Sequence, residues 1–359
     1  MSLTDPRITK QASILVDYSI KLKKGENVLI QADFVARPLV LEIYKLLIKR
    51  GANEVKLSFS DYEFTEAYYK NAVSLQIKHF PQISWDEIKK IDCFVAISSP
   101  INTRGLTGLD VDKIAERRRV TDKIQNYRVD NTRWVITTYP TNAQAQEANM
   151  SLSDYEKFVF KAINGVDWKS QHKLQEKLRK RIDKTSVVRI VGKETDLSMS
   201  IKGRKAVNAD GEYNMPDGEV FTSVIENSAN GYITYTFPAL YLGREFHNVR
   251  LKFKNGKVVT ALAAKGGLDL NKILNTDSGA RKIGELGFGN NFRISKFTKD
   301  ILFDEKIGGT IHIALGDGYK ETLSKNKSAI HWDMIKDLRR GGEIHFDDKI
   351  VQKNGKWLI

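Results

Sequence analysis

Two histidines and a set of carboxylates stand among glycine-rich turns late in the sequence. His312 and His331, two of the chain's six histidines, share the stretch 284–340 with Glu285, Asp304, Glu305 and Asp333. Glu219, in NMPDGEVFTS, belongs with them: it follows a Pro-Asp-Gly turn and leads into an apolar run. Imidazole is a borderline nitrogen donor, so histidine combined with carboxylate suits zinc, cobalt or manganese better than calcium.

The triplet His331-Trp332-Asp333 is the most informative. Residues two apart share a face on an extended segment and point to nearly opposite sides on a helix. An extended triplet puts His331 and Asp333 together, with Trp332 packed behind. A helix is expected just after it, over 334–340, stopped by Gly341-Gly342; the competing reading makes Asp333 its N-cap and His331 a buried structural residue. His312 lies in an expected strand, 310–315, where Ile311, Ile313 and Leu315 take one face and His312 and Ala314 the other. By itself such a histidine is more often a packed or surface residue than a ligand. Glu285 sits between glycines and apolar residues, where a partly buried carboxylate needs a cation or a proton. The alternative for Glu219 is a strand-edge surface position. Taken together, Glu219, Glu285, Asp333, His312 and His331 are a suitable ligand count for two divalent metal ions sharing a carboxylate. Two-metal sites hold ions about 3.5–4 Å apart with a hydroxide between them.

These residues need a scaffold, and 359 residues with 41% hydrophobic and 28% charged side chains suffice for two folded domains. Residues 1–185 alternate strand-like and helix-like segments: strands at 26–32, 54–60, 93–98 and 134–138, and helices at 38–49, 62–72, 143–150 and 155–163. That alternation implies right-handed crossovers and an α/β domain with a largely parallel sheet. A basic helix at 168–184 closes this domain. From 186 to 359 the period changes to short alternating strands, at 187–191, 196–201, 232–237, 249–253 and 257–263, with Asn255-Gly256 as a hairpin turn between the last two. The second domain is therefore β-rich α+β and contains the whole candidate site.

Several function classes lack support. No Gly-x-Gly-x-x-Gly or Walker motif follows a strand, which removes a nucleotide site, and no His-Glu-x-x-His occurs, which removes a zincin. The net charge is +14, which raises a nucleic-acid partner. Yet the basic residues are mixed with acids, and the densest segment, 168–184, has no stacking aromatic beyond Trp168, so a solvated helix is the better reading. The start lacks a basic then apolar leader, no apolar run reaches the roughly 18 residues of a membrane span, and the one cysteine, Cys93, reads as a small core residue. A cytoplasmic protein without a membrane partner is expected.

The segments NMPDGEVFTS, ELGFGNN, ILFDEKIGGTIHIALGDGY and SAIHWDMI, with the amino-terminal KKGENVLIQAD, closely resemble the thermophilic metalloaminopeptidase family of aminopeptidases T, S and II. The resemblance covers nearly the whole chain. It implies metal ligation by Glu219, Glu285, His312, His331 and Asp333, and it puts Tyr319 near the metals. It also implies two divalent cations (Zn, Co, Mn or Mg), short peptide substrates, and a homodimer. Two departures stand out: Val224 follows GEVFTS and Asn290-Asn291 follows ELGFG, which touch loops rather than ligands. The expected activity is removal of amino-terminal residues by a hydroxide held between two metals. Glu305 is the candidate general base, with a salt bridge to Lys306 as its plain alternative. Tyr319 is the candidate hydrogen-bond donor to the oxyanion, with a core tyrosine as its alternative. The rival readings are a dinuclear phosphoesterase with Lys306 and Lys296 near the site, and a basic non-enzymatic nucleic-acid-binding protein.

Overall fold

The protein is described from a computed structural model covering residues 5–241 and 243–358. Residues 1–4, part of the start read as lacking a leader, lie outside the described residues. The chain divides into two compact units, 1–165 with 211–216, and 166–210 with 217–359.

The first unit is built on a five-stranded parallel sheet in the order Glu54–Ser60, Asn27–Asp33, Cys93–Ser98, Arg133–Thr138, Asn214–Met215. Each of the first four strands falls within a residue of its expected bounds. Their continuous apolar runs follow from burial on both faces. Leu39, Val40, Ile43 and Leu47 of helix Arg37–Lys49 are buried, and on another side Leu29, Ile88 and Phe94 pack with Trp85, Ile124, Tyr127 and Trp134. Helix Val111–Asn131, of 21 residues, has no fully buried position, which is why hydrophobic periodicity does not announce it. Two arginines stand in its half-buried stripe instead of apolar residues. Arg117 donates to the Ile77 carbonyl, and the Arg128 guanidinium lies 4.6 Å from the Trp134 ring centroid. Cys93 is buried in this sheet. Burial pushes its thiol up to about 12, far from reactive thiolate.

The second unit is antiparallel. An eight-stranded sheet runs Lys257–Leu262, Arg250–Lys254, Asn230–Thr234, Thr195–Ser200, Val187–Gly192, Glu343–Phe346, Lys349–Lys353, Lys356–Trp357. A five-stranded sheet runs His331–Asp337, Thr310–Gly316, Ile283–Gly289, Glu219–Thr222, Ala206–Ala209. One core joins them, with Val188, Ile190, Leu197, Leu251 and Phe253 from the first sheet and Leu286, Phe288, Ile311, Ile313, Trp332 and Met334 from the second. The Asn255-Gly256 hairpin forms, with both residues at positive φ, 49° and 79°, the conformation this turn type requires.

Two features depart from the sequence reading. The basic helix, Trp168–Ile182, groups with the second unit rather than ending the first. Its Leu178 and Ile182 enter the second core, and Gln175 donates to Asn208 Oδ1 at 2.6 Å and to the Ala209 and Glu219 carbonyls at 2.9 Å. The charged surface of that helix hid the stripe that decides its allegiance. The other departure is 334–340. No helix starts there; His331–Asp337 is one continuous strand, laddered to Thr310–Gly316 along its whole length. Met334-Ile335-Lys336-Asp337-Leu338 reads as helix by propensity, but tertiary pairing wins. Lys336 takes a core-side position because its ammonium donates to the Lys193 and Thr234 carbonyls, both at 2.8 Å. Asp333 is therefore mid-strand and caps nothing. Among the described residues, no helix is long and apolar enough to cross a membrane.

Candidate metal centre

The five-stranded sheet sorts its side chains by register. Ala314 pairs with both Glu285 and Asp333, His312 with Gly287, Gly316 with His331, and Gly289 with Glu219. In antiparallel sheets directly paired residues point to the same face. All five expected ligands thus share one face, while Val220, Leu286, Phe288, Ile311, Ile313, Leu315, Trp332 and Met334 line the core on the other.

A bulge makes this possible. Register shifts between Ile283, paired with Leu315, and Glu285, paired with Ala314. Were Gly284 an ordinary paired residue, strict alternation would put Glu285 on the core face with Ile283; as the extra residue of the bulge it lets Glu285 pair with Ala314 on the site face. The small residues on the site face have a purpose too. A Cβ on Gly287 would come within 1.9 Å of the His312 ring, so the glycine is the floor on which the imidazole lies.

The cluster is tight. His312 Nε2 lies 2.9 Å from Glu285 Oε1 and 3.3 Å from Glu219 Oε2. His331 Nε2 lies 3.3 Å from Asp333 Oδ2 and 3.8 Å from Glu285 Oε2. Glu285 therefore turns one oxygen to each histidine. His331 is oriented by its Nδ1, 2.9 Å from the Asp317 carbonyl. Glu305 joins from the adjacent turn: one oxygen of it, one of Asp333 and a nitrogen of His312 all lie within 4.8 Å of one another. The Tyr319 ring packs 5.3 Å from the His331 ring and 5.5 Å from Phe221. Asp304 is not part of this group. It is buried, but it accepts from the amide and hydroxyl of Thr298 at 2.7 and 3.0 Å, a structural role. Among the remaining histidines, His247 pairs with Glu245 and His345 with Glu343, each at 3.1 Å.

The electrostatics are those of carboxylates and imidazoles buried together. Burial pushes the Glu219 carboxyl up to about 8, and burial also raises Glu285. Burial alone would depress the two imidazoles. The carboxylates outweigh it, Glu219 first for His312 and Asp333 first for His331, and push both to about 10. Burial would likewise raise Asp333, yet the His331 imidazole holds it below its usual range. Burial and then the neighbouring carboxylates raise the Tyr319 phenol, so it stays a hydrogen-bond donor.

Lys306 is the residue that sequence reading undervalued. It has no exposed surface, its ammonium contacts Glu305 Oε1, and it lies 3.4 Å from Glu219 Oε1. Burial would lower it, but Glu219 and Glu305 hold it charged, well above its ordinary value. The only hint in the sequence was its place in a short polar turn before an apolar strand.

A family model described as thermophilic metalloprotease (M29) matches residues 4–357. The chain belongs to this family. It is 24% identical to aminopeptidase AmpS of Bacillus subtilis (strain 168), over 97% of this chain and 93% of that protein. It is also 24% identical to aminopeptidase 2 of Geobacillus stearothermophilus, over 99% of this chain and 96% of that one. The solved structure of wild-type AmpT from Thermus thermophilus superimposes with a TM-score of 0.86, covering 99% of each chain at 21% identity, a likeness of fold. An M29 metalloprotease works with divalent metal, and the cluster fits one. Glu219 Oε2 and Asp333 Oδ1 are buried with no hydrogen-bond partner. Such atoms are costly unless a cation satisfies them.

A metal held by His312 and His331 would compete with protons in this M29 protein. From the ordinary imidazole value of 6.5 up to about 10, His312 and His331 are protonated in the metal-free state. Their protons stabilise that state fully below 6.5 and progressively less as pH rises through about 10. Metal affinity is expected to climb with pH across this window, by up to about tenfold per unit for each imidazole proton displaced. Calorimetric titration in buffers of different ionisation enthalpy measures the proton release. A pH-independent affinity would exclude both histidines as ligands.

Proposed function

We propose that this metalloprotease is an aminopeptidase that removes the amino-terminal residue of short peptides, using two divalent cations. Glu285 carries the reading: its two carboxylate oxygens face two different histidines, each with a further carboxylate beside it. His312, Glu219 and Glu285 Oε1 would hold one cation, and His331, Asp333 and Glu285 Oε2 the other. Bound there, divalent cations supply Lewis acidity and make water acidic enough to attack at neutral pH. Zinc, cobalt, manganese and magnesium are the candidate ions. The names of the AmpS and aminopeptidase 2 relatives support the exopeptidase assignment, and homodimer formation rests on the family resemblance.

The chain's own groups do the rest. Glu305 borders the ligand cluster, so it takes the proton from the attacking water and returns it to the leaving amine. Tyr319, whose ring packs against the ring of His331, donates its hydroxyl hydrogen to the oxyanion that develops on the scissile carbonyl. Tyr319→Phe is expected to lower kcat by about two to three orders with metal content unchanged. Unchanged kcat would return Tyr319 to a packing role.

A phosphoesterase would need exposed cations to clamp phosphate, but Lys306 is buried and engaged by Glu305 and Glu219. The deciding experiment strips the protein with chelator, reloads it with Co²⁺, Zn²⁺, Mn²⁺ or Mg²⁺, and follows amino acid release from a peptide panel alongside phosphoesters. Release confined to the amino end, with two ions bound per chain, supports the proposal. Internal cleavage, phosphoester hydrolysis, or one ion at full activity rejects it.

A further inference from the structure

A lysine with no exposed surface inside a metal-binding cluster calls for a reason. Lys306 follows Glu305 directly, and its Nζ sits between Glu305 Oε1 and Glu219 Oε1. Its backbone is fixed as well, since the Asn291 amide donates to the Lys306 carbonyl at 2.9 Å. The consequence for Glu219 is asymmetric. Oε1 faces the ammonium, while Oε2, 3.3 Å from His312 Nε2, has no hydrogen-bond partner. One carboxylate is divided between a permanent cation and an open position.

We propose that Lys306 is a positioning residue that occupies one oxygen each of Glu219 and Glu305. It makes Glu219 a single-oxygen ligand and keeps Glu305 out of the coordination sphere, free to act as a base. The inference rests on the two-metal reading above. Charge gives it a second function. Glu219, Glu285, Glu305 and Asp333 with the Lys306 ammonium leave three negative charges, so two dications make the loaded centre positive by one. That surplus favours the negative charge that develops on the substrate carbonyl. Without Lys306 the loaded centre would be neutral, with Glu305 drawn onto metal as a further ligand. The buried lysine thus trades affinity for turnover.

The direction of this trade is testable. Lys306→Met keeps the volume and removes the charge; Lys306→Arg keeps the charge. Metal-stripped parent and both variants are titrated calorimetrically with Zn²⁺ or Co²⁺ at mildly alkaline pH, and kcat and KM are measured on the loaded proteins. Thermal unfolding checks that each variant is folded. Lys306→Met is expected to bind metal at least about tenfold more tightly, as loss of a unit positive charge beside the site requires. Its kcat should fall by at least about tenfold with KM little changed. Lys306→Arg should restore parental metal affinity and part of kcat. A role in packing alone predicts the opposite pattern, with Met tolerated and Arg disruptive. Weaker metal binding by Lys306→Met, or parental kcat in that variant, overturns the proposal. If the parent binds no metal, the two-metal reading fails instead, and the two failures are distinguishable.

Discussion

Glu285→Gln should empty both metal positions at once. The side chain keeps its shape, so the sheet should survive, but an amide offers one weak oxygen donor where the carboxylate gives two charged ones. Its Oε1 and Oε2 lie 2.9 Å from His312 and 3.8 Å from His331 respectively, so no other substitution is expected to reach both partners. The expected result is less than one ion per chain and a fall in kcat/KM of at least about three orders. Asp333→Asn is the control: it leaves the Glu285 carboxylate between both histidines and should leave one ion bound. Elemental analysis after gel filtration, with circular dichroism to verify folding, measures both. Two ions retained by Glu285→Gln would remove Glu285 from the ligand set.

Gly287→Ala adds a single methyl group and is expected to act almost as strongly. The new Cβ would fall 1.9 Å from His312 Cε1 and 2.1 Å from Nε2. The ring cannot stay, and behind it Gly287 is paired to the histidine backbone in the sheet, so the imidazole must swing away from Glu219 and Glu285. Displacement of a functional group by about 1 Å is enough for a loss near a hundredfold. We expect that loss in kcat/KM together with weaker metal binding, while the unit 1 sheet is untouched. Titration with Co²⁺, whose absorption reports its ligands, tests the ring directly. A parental cobalt spectrum would show that His312 is not a ligand.

Residue order alone gave away the class of each half and the donor-type side chains that the fold then gathers into one cluster. Five ligand-type side chains in glycine-bounded segments stay recognisable because donor chemistry depends on residue type. Alternation between apolar strands and amphipathic helices, and later between polar and apolar residues, is equally local. What the sequence left open was set by partners distant along the chain. The strand after HWD reads as helical because Met334 to Arg340 carry helix-forming side chains, and only pairing with Thr310–Gly316 makes Met334 to Asp337 extended. Helix Trp168–Ile182 reads as part of the first half because its few core residues are hidden among charges, and its allegiance depends on Ala206–Ala209 and Glu219–Thr222, which come later. The bulge at Gly284 is invisible in an alternating string, yet it decides which face Glu285 takes. Lys306 is the clearest case. A lysine in a polar turn reads as surface, and only the convergence of Glu219 and Glu305, 86 residues apart in the numbering, gives a buried ammonium the partners that make burial tolerable.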